Sequence, residues 1–171
     1  LKIERGSTTR TLLVRDGRGN FSFVHRSFMD FFVAEKIISE LKKGILTSFG
    51  ERYLSDAVAD FLLANPPSIK TLYDCLGCND SALPWIQGNA LTLLHRLKQD
   101  LRGLKLSGAF IKRANLEGAD LSGSDFSKAT LDAVRLEKSK LDNVNCSGAT
   151  LEGLMLGVKS SAKCIACSPN G

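Results

Sequence analysis

A five-residue period in residues 104–158 limits what this chain can fold into more than any other feature of its sequence. The third residue of each unit is apolar in eleven consecutive units. These repeat centres are Leu106, Ile111, Leu116, Leu121, Phe126, Leu131, Leu136, Leu141, Cys146, Leu151 and Leu156. On an α-helix of about 3.6 residues per turn the centres would scatter around the axis, and on a flat strand they would alternate between its two faces. The period therefore predicts a chain that turns one corner in every unit, so that all the centres point into one interior.

The units resemble the pentapeptide-repeat family, whose motif is A-(D/N)-L-x-x. Residues 114–116, 119–121 and 124–126 carry the match as Ala-Asn-Leu, Ala-Asp-Leu and Ser-Asp-Phe. The resemblance implies a right-handed β-helix of square cross-section, with four units in each coil. Residues twenty positions apart then lie above one another, which predicts that Lys112 lies over Asp132. The open ends of such a short stack need covering, because their backbone groups have no neighbouring coil.

The sequence before the repeat predicts a β-hairpin followed by helices. Two apolar runs, residues 11–15 and 21–25, flank a turn that contains Asp-Gly. A helix is expected next, with Ser27 as its N-cap. Its expected buried face is formed by Phe28, Phe31, Phe32, Ile38 and Leu41. Further helices are predicted over residues of about 50–64, 69–76 and 84–99. Because the last one runs directly into the repeat, we expect it to cover the N-terminal end of the stack.

A second resemblance lies in residues 21–34, FSFVHRSFMDFFVA. The segment is similar to the end of the winged-helix region of NACHT-type STAND NTPases, whose pattern is close to F-x-H-x-(S/T)-F-Q-E-(F/Y)-F-A-A. The matching residues are Phe23, His25, Ser27, Phe28, Phe31, Phe32 and Ala34, whereas Met29, Asp30 and Val33 depart from the pattern. In that family, pentapeptide repeats are among the modules that can follow this region.

By this resemblance, His25 contacts the β-phosphate of a bound nucleotide in the inactive state of a full-length parent, whose cofactors are ATP or ADP and Mg²⁺. The alternative is a structural histidine between a strand end and a helix. The chain contains no G-x-x-x-x-G-K-(S/T) phosphate loop. We therefore expect no cofactor and no catalytic residue in this fragment, and we favour the structural role of His25 within it.

Two C-x-x-C pairs are the candidates for a metal site, because four thiolates can bind zinc. The first pair is Cys75 and Cys78, and the second pair is Cys164 and Cys167. However, 85 residues and the whole repeat separate the two pairs. Neither pair follows a predicted strand, as a redox motif of this kind does. We therefore expect neither a metal site nor a redox role.

Charge argues against nucleic acid as a partner. The chain has a formal net charge of +5, but the repeat holds seven basic and seven acidic residues and is neutral. Such a balance is typical of a solvated surface. No apolar run is long enough to span a membrane. Five cysteines without a disulfide framework favour a reducing compartment, so we expect a cytoplasmic location.

These observations predict an α + β chain in which an α-helical N-terminal region with a β-hairpin precedes a short right-handed quadrilateral β-helix. The expected divisions are the end of a winged-helix region (1–26), a helical connector domain (27–100), a pentapeptide-repeat β-helix (101–158) and a tail (159–171). We interpret the chain as the non-catalytic C-terminal sensor or protein-interaction region of a NACHT-like signalling NTPase, in bacterial stress or antiphage defence, with an unknown protein partner or trigger. The alternative is a free-standing pentapeptide-repeat protein that modulates a topoisomerase by mimicking DNA, although that role suits a long acidic rod.

Overall fold

The computed structural model describes residues 12–153, in which a β-hairpin leads into five helices and then into three short parallel strands. The elements are β1 (Leu13–Arg15), β2 (Phe21–Phe23), α1 (Arg26–Leu41), α2 (Thr47–Gly50), α3 (Asp56–Ala64), α4 (Ile69–Leu76), α5 (Ile86–Arg96), β3 (Phe110–Lys112), β4 (Thr130–Asp132) and β5 (Thr150–Glu152). Three residues that the sequence analysis singled out lie outside the described residues, namely the repeat centre Leu156 and the cysteines Cys164 and Cys167.

The predicted hairpin is confirmed. Strands β1 and β2 are antiparallel, with Leu13 opposite Phe23. The Asp16 carboxylate closes the turn between them, because it accepts hydrogen bonds from the N–H groups of Arg18 and Asn20, each at 2.9 Å. These bonds favour the charged carboxylate, and the bonds from Asn20 contribute most to lowering the pKa of Asp16.

Helix α1 differs from the prediction at its start and in its buried face. Its N-cap is His25, not Ser27, because His25 has an extended backbone and its side chain accepts the N–H of Ser27. Phe31 and Phe32 were expected to be buried but are 40% and 47% exposed. The buried residues of α1 are Asp30, Ala34, Ile37, Ile38 and Leu41. Ile38 and Leu41 are buried as predicted, so the predicted face is wrong only at the phenylalanines in the first half of the helix.

The helix predicted over residues 50–64 begins six residues later, as α3, and a short helix, α2, ends at Gly50. The chain leaves α2 after Gly50 and begins α3 at Asp56, where the Ser55 hydroxyl accepts the N–H of Val58 at 3.3 Å and caps the new helix. Helix α4 has the predicted bounds. Helix α5 is shorter than the predicted range of 84–99, and Lys98 beyond its C-terminus has a positive φ of 55°, which no helix continues.

The repeat has the twenty-residue register that the resemblance to the pentapeptide-repeat family implies. In the parallel sheet β3–β4–β5, Ile111 pairs with Leu131 and Leu131 with Leu151. Isolated parallel bridges join further residues twenty apart, namely Lys105 with Asp125, Asn115 with Arg135, Asp120 with Lys140, and Asp125 with Asn145. Regular strands form on one side only, and the described residues form no closed sheet. Each unit has too few extended residues between its corners for longer strands.

Every corner residue from 108 to 153, at intervals of five, has a positive φ. Five of these corner residues are glycines, which adopt a left-handed conformation more readily than other residues. The others are Arg113, Lys128, Ala133, Lys138 and Asn143. The hydrogen-bonded stacking of coils therefore holds the corner conformation even where the side chain opposes it.

Most of the repeat centres point into the interior of the stack. Eight of them, from Leu106 to Leu141, are at most 6% exposed, and Cys146 is 9% exposed. Leu151 is 40% exposed because it lies in β5, which has only one neighbouring strand in the described sheet. The side chains of Lys112 and Asp132 form the expected ion pair at 3.2 Å.

A single apolar core extends from Ala34 in α1 to Ala149 in the repeat. Helix α5 lies in its middle, and every residue from Ile86 to Leu94 is buried. The predicted domain boundary between residues 100 and 101 is therefore not marked by a break in the core. None of the helices in residues 12–153 is both long enough and apolar enough to cross a membrane.

Candidate functional site

The candidate site is the junction between α5 and the first coil of the repeat, where side chains of the helix form hydrogen bonds with the backbone of the coil. Within the stack, backbone groups of one coil bond to the next coil; for example, the N–H of Thr130 donates to the carbonyl of Ala109 at 2.8 Å. The first coil has no coil before it. Its free backbone groups face α5, and side chains of that helix supply their partners.

Three polar side chains of α5 replace the missing coil. The Gln87 side-chain oxygen accepts the N–H of Phe110 at 2.7 Å, and the Thr92 hydroxyl accepts the N–H of Asn115 at 3.0 Å. The Nε2 atom of His95 lies 2.9 Å from the Glu117 carbonyl oxygen. Because a carbonyl can only accept, Nε2 carries the proton and donates it. The helix therefore supplies both acceptors and a donor to the exposed coil end, as the last helix was expected to do.

Gly88 lets α5 approach the coil closely. A Cβ atom at this position would lie 2.0 Å from the carbonyl oxygen of Lys112 and 3.0 Å from its carbonyl carbon. Both atoms belong to the backbone of β3, so they cannot move aside as a flexible side chain can. The absence of a side chain at Gly88 is thus a requirement of the contact.

The opposite side of α5 is fixed to the helical region by Asn89. Its amide group donates to the carbonyls of Phe49 at 2.6 Å and Arg52 at 2.9 Å, and its side-chain oxygen accepts the N–H of Leu54 at 3.1 Å. The side chain is almost fully buried. Asn89 therefore stabilises the non-helical link between α2 and α3, whose backbone groups would otherwise be buried without partners.

A groove with a volume of about 420 Å³ opens beside this junction. Its walls are the loop that follows α4, the start of α5 and the corner of the first coil. The lining residues are Cys78, Asn79, Asp80, Ser81, Leu83, Pro84, Ile86, Gln87, Gly108 and Phe110. Gln87 reaches across its base, because its amide nitrogen donates to the carbonyl of Leu76 at 3.0 Å and to the Asn79 side chain at 3.1 Å. The groove thus has a mainly apolar wall with few polar groups.

His25 lies at the N-terminus of α1, away from this junction. Its Nδ1 atom accepts the N–H of Ser27 at 3.2 Å and lies 2.6 Å from the Ser27 hydroxyl. An accepting Nδ1 carries no proton, so the ring proton is on Nε2. The side chain is exposed. His25 therefore caps a helix and at the same time presents an N–H group to solvent at the positive end of the α1 dipole.

The cysteines of the first C-x-x-C pair differ in their surroundings. Cys75 lies in the core on α4, and its burial raises the pKa of its thiol to about 12. Cys78 is partly exposed in the groove. In residues 12–153 no three His, Cys, Asp or Glu side chains are grouped so that they could hold a metal ion.

The second C-x-x-C pair falls in the part of the chain that the structure does not describe. Cys164 and Cys167 both lie beyond residue 153, so no distance joins them to Cys75 or Cys78. A zinc site formed by all four thiolates is therefore not tested by the described residues. The absence of a metal site in the whole chain stays a prediction.

Charges on the outer surface of the repeat are mostly paired between coils. Glu117 accepts hydrogen bonds from Lys138 and Arg135, each at 2.8 Å. The bond from Lys138 is the main reason that the pKa of Glu117 lies below its ordinary value. Asp120 also has a lowered pKa, chiefly because the Ser122 hydroxyl donates to it. The pairs neutralise the surface, which offers no extended patch of one sign in the described part of the repeat.

Gln87, Asn89 and Thr92 were not among the residues predicted from the sequence to have a role. Their signal was present as three polar residues within the apolar stretch 86–94. A polar residue that a helix buries must find a hydrogen-bond partner, and all three here bind backbone groups outside their own helix.

Comparison with known proteins supports the assignment of pentapeptide repeats to this chain. Residues 100–132 match the family model described as "Pentapeptide repeats (8 copies)". No protein of curated function matches the chain. The matched residues cover the first coil and a little under half of the second. Together with the twenty-residue pairing, they identify this part of the chain as a pentapeptide-repeat module.

Proposed function

We propose that this chain is the non-catalytic C-terminal sensor or protein-interaction region of a NACHT-like signalling NTPase, active in bacterial stress or antiphage defence in the cytoplasm. In this proposal residues 1–26 end a winged-helix region, 27–100 connect it, 101–158 form a right-handed quadrilateral β-helix, and 159–171 are a tail. A partner protein binds the repeat and triggers the parent. ATP or ADP with Mg²⁺ binds elsewhere in the parent.

The observation that carries this proposal is the junction at α5. A sensor must transmit the binding of its partner to the rest of the protein, and a flexible linker would lose that information. Here the repeat joins the helical region through a common core and through the bonds of Gln87, Thr92 and His95 to the first coil. In this proposal the packed core and these bonds carry the signal from the repeat to the helical region.

The β-helix in this proposal draws on the parallel pairs at twenty-residue spacing, which occur in the sheet and at four further bridges. The handedness and the square section come from the family resemblance. A DNA mimic is less well supported, because the outer charges of the repeat are balanced and paired.

The geometry of His25 is compatible with the phosphate contact that the resemblance implies. Its Nδ1 is occupied by Ser27, which leaves the Nε2 N–H free to donate to a phosphate oxygen. Loss of a charge-assisted bond of this kind costs about 1.5–3 kcal/mol, which shifts a closed-to-open equilibrium roughly ten- to a hundredfold if the bond exists only in the closed state.

The experiment is to measure basal signalling and protein level for the full-length parent with His25→Ala and with His25→Ser. Serine retains an N-cap acceptor, so it restores the structural role but not the phosphate contact. A nucleotide sensor predicts that both variants signal without the trigger. If His25→Ser behaves as wild type and only His25→Ala loses protein, the histidine is structural and the nucleotide contact is wrong. A parent sequence without an upstream G-x-x-x-x-G-K-(S/T) loop would refute the parentage itself.

A further inference from the structure

Phe110 places an aromatic ring where the repeat otherwise carries polar residues. It is the second residue of its unit and is 42% exposed. The residues at the same place in the next two coils are Thr130 and Thr150. The second residues of the remaining units between 104 and 153 are all polar, namely Lys105, Asn115, Asp120, Asp125, Arg135, Lys140 and Asn145. The stacking of the coils therefore does not require a phenylalanine at this position.

Phe110 belongs to the apolar wall of the groove beside the junction, together with Leu83, Pro84 and Ile86. Single apolar residues on a surface are common, but these four line one concave surface. The groove volume of about 420 Å³ falls within the range of roughly 300–1,000 Å³ that is typical of binding sites. Aromatic residues are enriched where proteins bind each other. The ring of Phe110 is thus available to pack against a bound apolar group.

Hydrogen bonds hold the groove in a defined shape. The N–H of Leu83 donates to the Asp80 carbonyl at 3.0 Å, and the Oδ1 atom of Asp80 accepts the N–H of Ala82 at 2.9 Å. These bonds close the loop after α4 as a turn. At the base of the groove, the Gln87 side chain bonds both to this loop and to the first coil. Binding therefore does not have to order these walls, which lowers its entropy cost.

Asp80 is the only charged side chain among the described residues that line the groove. It is exposed and forms no ion pair with any other of residues 12–153. The turn does not need the charge, because an asparagine at this position would accept the same N–H group. The groove therefore combines an apolar wall with one negative charge that the chain itself does not neutralise.

The geometry points to the docking of a partner-protein segment that carries a large apolar side chain next to a lysine or arginine. The apolar side chain packs against Phe110 and Ile86, and the cation approaches Asp80. This inference rests on the proposed function, in which the repeat binds a protein, and it names the part of the repeat and the kind of segment.

Other classes of ligand fit the groove less well. A small molecule is normally enclosed over about 70–90% of its surface, whereas Asn79, Asp80, Ser81 and Phe110 are all exposed and leave this groove open. A peptide suits an open groove, because its two ends can leave it. Nucleic acids and anionic lipids carry phosphates, which the charge of Asp80 repels.

The test uses two fluorescein-labelled peptides of about eight residues that differ at one position. Each has a central leucine in a background of glycine and serine, and the leucine is followed by lysine in one peptide and by glutamate in the other. We expect the lysine peptide to bind the chain in fluorescence polarisation at least about tenfold more tightly than the glutamate peptide. Equal affinities, or no binding of the lysine peptide, would overturn the proposal.

Cys78 reports whether the peptide occupies the groove. It lines the groove and is partly exposed, whereas Cys75 and Cys146 are buried. Saturating lysine peptide should slow the alkylation of Cys78 by iodoacetamide about fivefold or more, with the modified cysteine identified by mass spectrometry. An unchanged rate at Cys78 with the peptide bound would place the binding elsewhere and refute the inference.

Two variants test the two halves of the site, and a third is the control. Phe110→Thr introduces the residue of the next two coils and should weaken binding of the lysine peptide about tenfold or more. Asp80→Asn keeps the acceptor for Ala82 but removes the charge, so the affinities of the two peptides should become equal within about twofold. Ile45→Thr changes an apolar residue that is 44% exposed outside the groove and should leave binding unchanged.

The fluorescence of Trp85 during urea unfolding shows whether each variant is folded under the binding conditions. If Asp80→Asn still discriminates between the peptides, the charge is not recognised and the inference is wrong. If folded Phe110→Thr binds like the wild type, or if Ile45→Thr is as harmful as Phe110→Thr, the groove is not the binding site.

Two further measurements decide between occupants. Size-exclusion chromatography with light scattering should show no dimer that Phe110→Thr dissociates, and a dimer of this kind would make a second copy the occupant. Phenethylammonium, a small apolar cation, should protect Cys78 less well than the lysine peptide, and equal protection would make a small molecule the ligand. These experiments use the chain without its parent, so their failure would leave the proposed parentage, which His25 and the phosphate loop test, unaffected.

Discussion

Replacing Gly88 by alanine should destabilise the chain severely, although the same change in an exposed helix stabilises by about 1 kcal/mol. The new Cβ would stand 2.0 Å from the Lys112 carbonyl oxygen. An ordinary contact needs roughly 3.3 Å or more, so α5 and β3 must separate by about 1.3 Å at this point. That movement breaks the bonds from Gln87 to Phe110 and from Thr92 to Asn115, which are 2.7 and 3.0 Å long.

Overpacking and the broken backbone hydrogen bonds together determine how far the free energy of unfolding falls. Overpacking alone costs about 1–3 kcal/mol, and leaving a buried backbone group without a partner costs about 1–3 kcal/mol more. We expect Gly88→Ala to lower the free energy of unfolding by about 2–6 kcal/mol, a large part of the stability of a domain of this size.

Urea unfolding followed by the fluorescence of Trp85 measures this prediction, since the chain has one tryptophan and it precedes α5. Gly77→Ala is the matched control, because Gly77 follows helix α4 with an ordinary φ of −83° and its new Cβ would meet only the Asp74 oxygen at 3.6 Å. A Gly88→Ala protein as stable as the wild type or the Gly77→Ala protein would show that α5 does not contact the coil in this way.

Four further predictions concern the repeat and the cysteines. Leu131→Asp should cost several kcal/mol, because it buries an unpaired charge. Lys112→Ala should cost less, about 1–2 kcal/mol, because it removes a partly exposed pair with Asp132 and a cation–π contact with Trp85, and equal losses in thermal melts would refute the register. Ala133→Gly should raise the free energy of unfolding by up to about 1 kcal/mol, since alanine has a φ of 52° there, and a loss of stability would contradict this reading of the corner. The pKa of Glu117 lies below its ordinary value of 4.5. The charged Glu117 side chain therefore stabilises the fold above pH 4.5, and this stabilisation is lost as the pH falls through the lowered pKa. Urea midpoints measured between pH 6 and pH 3 should fall less in Glu117→Gln than in the wild type. A chelator should leave the melting temperature unchanged, and a stoichiometric zinc that is absent from a Cys75→Ser or a Cys167→Ser protein would overturn that expectation.

The repeat centres could be predicted from the sequence because the five-residue period marks them, whereas the twenty-residue register came from the resemblance to the pentapeptide-repeat family, which implies four units in each coil. Each apolar centre needs an interior, the period places the corner, and Lys112 meets Asp132 once the coil length is known. The left-handed corners at Arg113 and Ala133 could not be predicted from residue type, since glycine is the usual choice there. Stacking with the next coil decides their conformation.

The exposed face of α1 could not be predicted because, unlike the repeat, this helix has no clear period in its apolar residues. Its first half is apolar at nearly every position, so periodicity does not distinguish the side that packs on α3 from the side that faces solvent. The start of the helix was missed because serine is a preferred N-cap and histidine is not. His25 takes the position because its extended backbone directs Nδ1 toward the N–H of Ser27.

The way in which α5 ends the repeat explains why an ordinary helix can lie against a stack of coils. The partners along the two elements are 23, 23 and 22 residues apart, for Gln87 with Phe110, Thr92 with Asn115, and His95 with Glu117, whereas neighbouring coils pair at twenty. A helix backbone has no free groups along its length, because its own hydrogen bonds use them. Only side chains can therefore satisfy the coil, and they must be long enough to reach it while Gly88 keeps the two backbones close. In this chain one glycine with polar residues on both sides of it, in an otherwise apolar helix, meets both requirements.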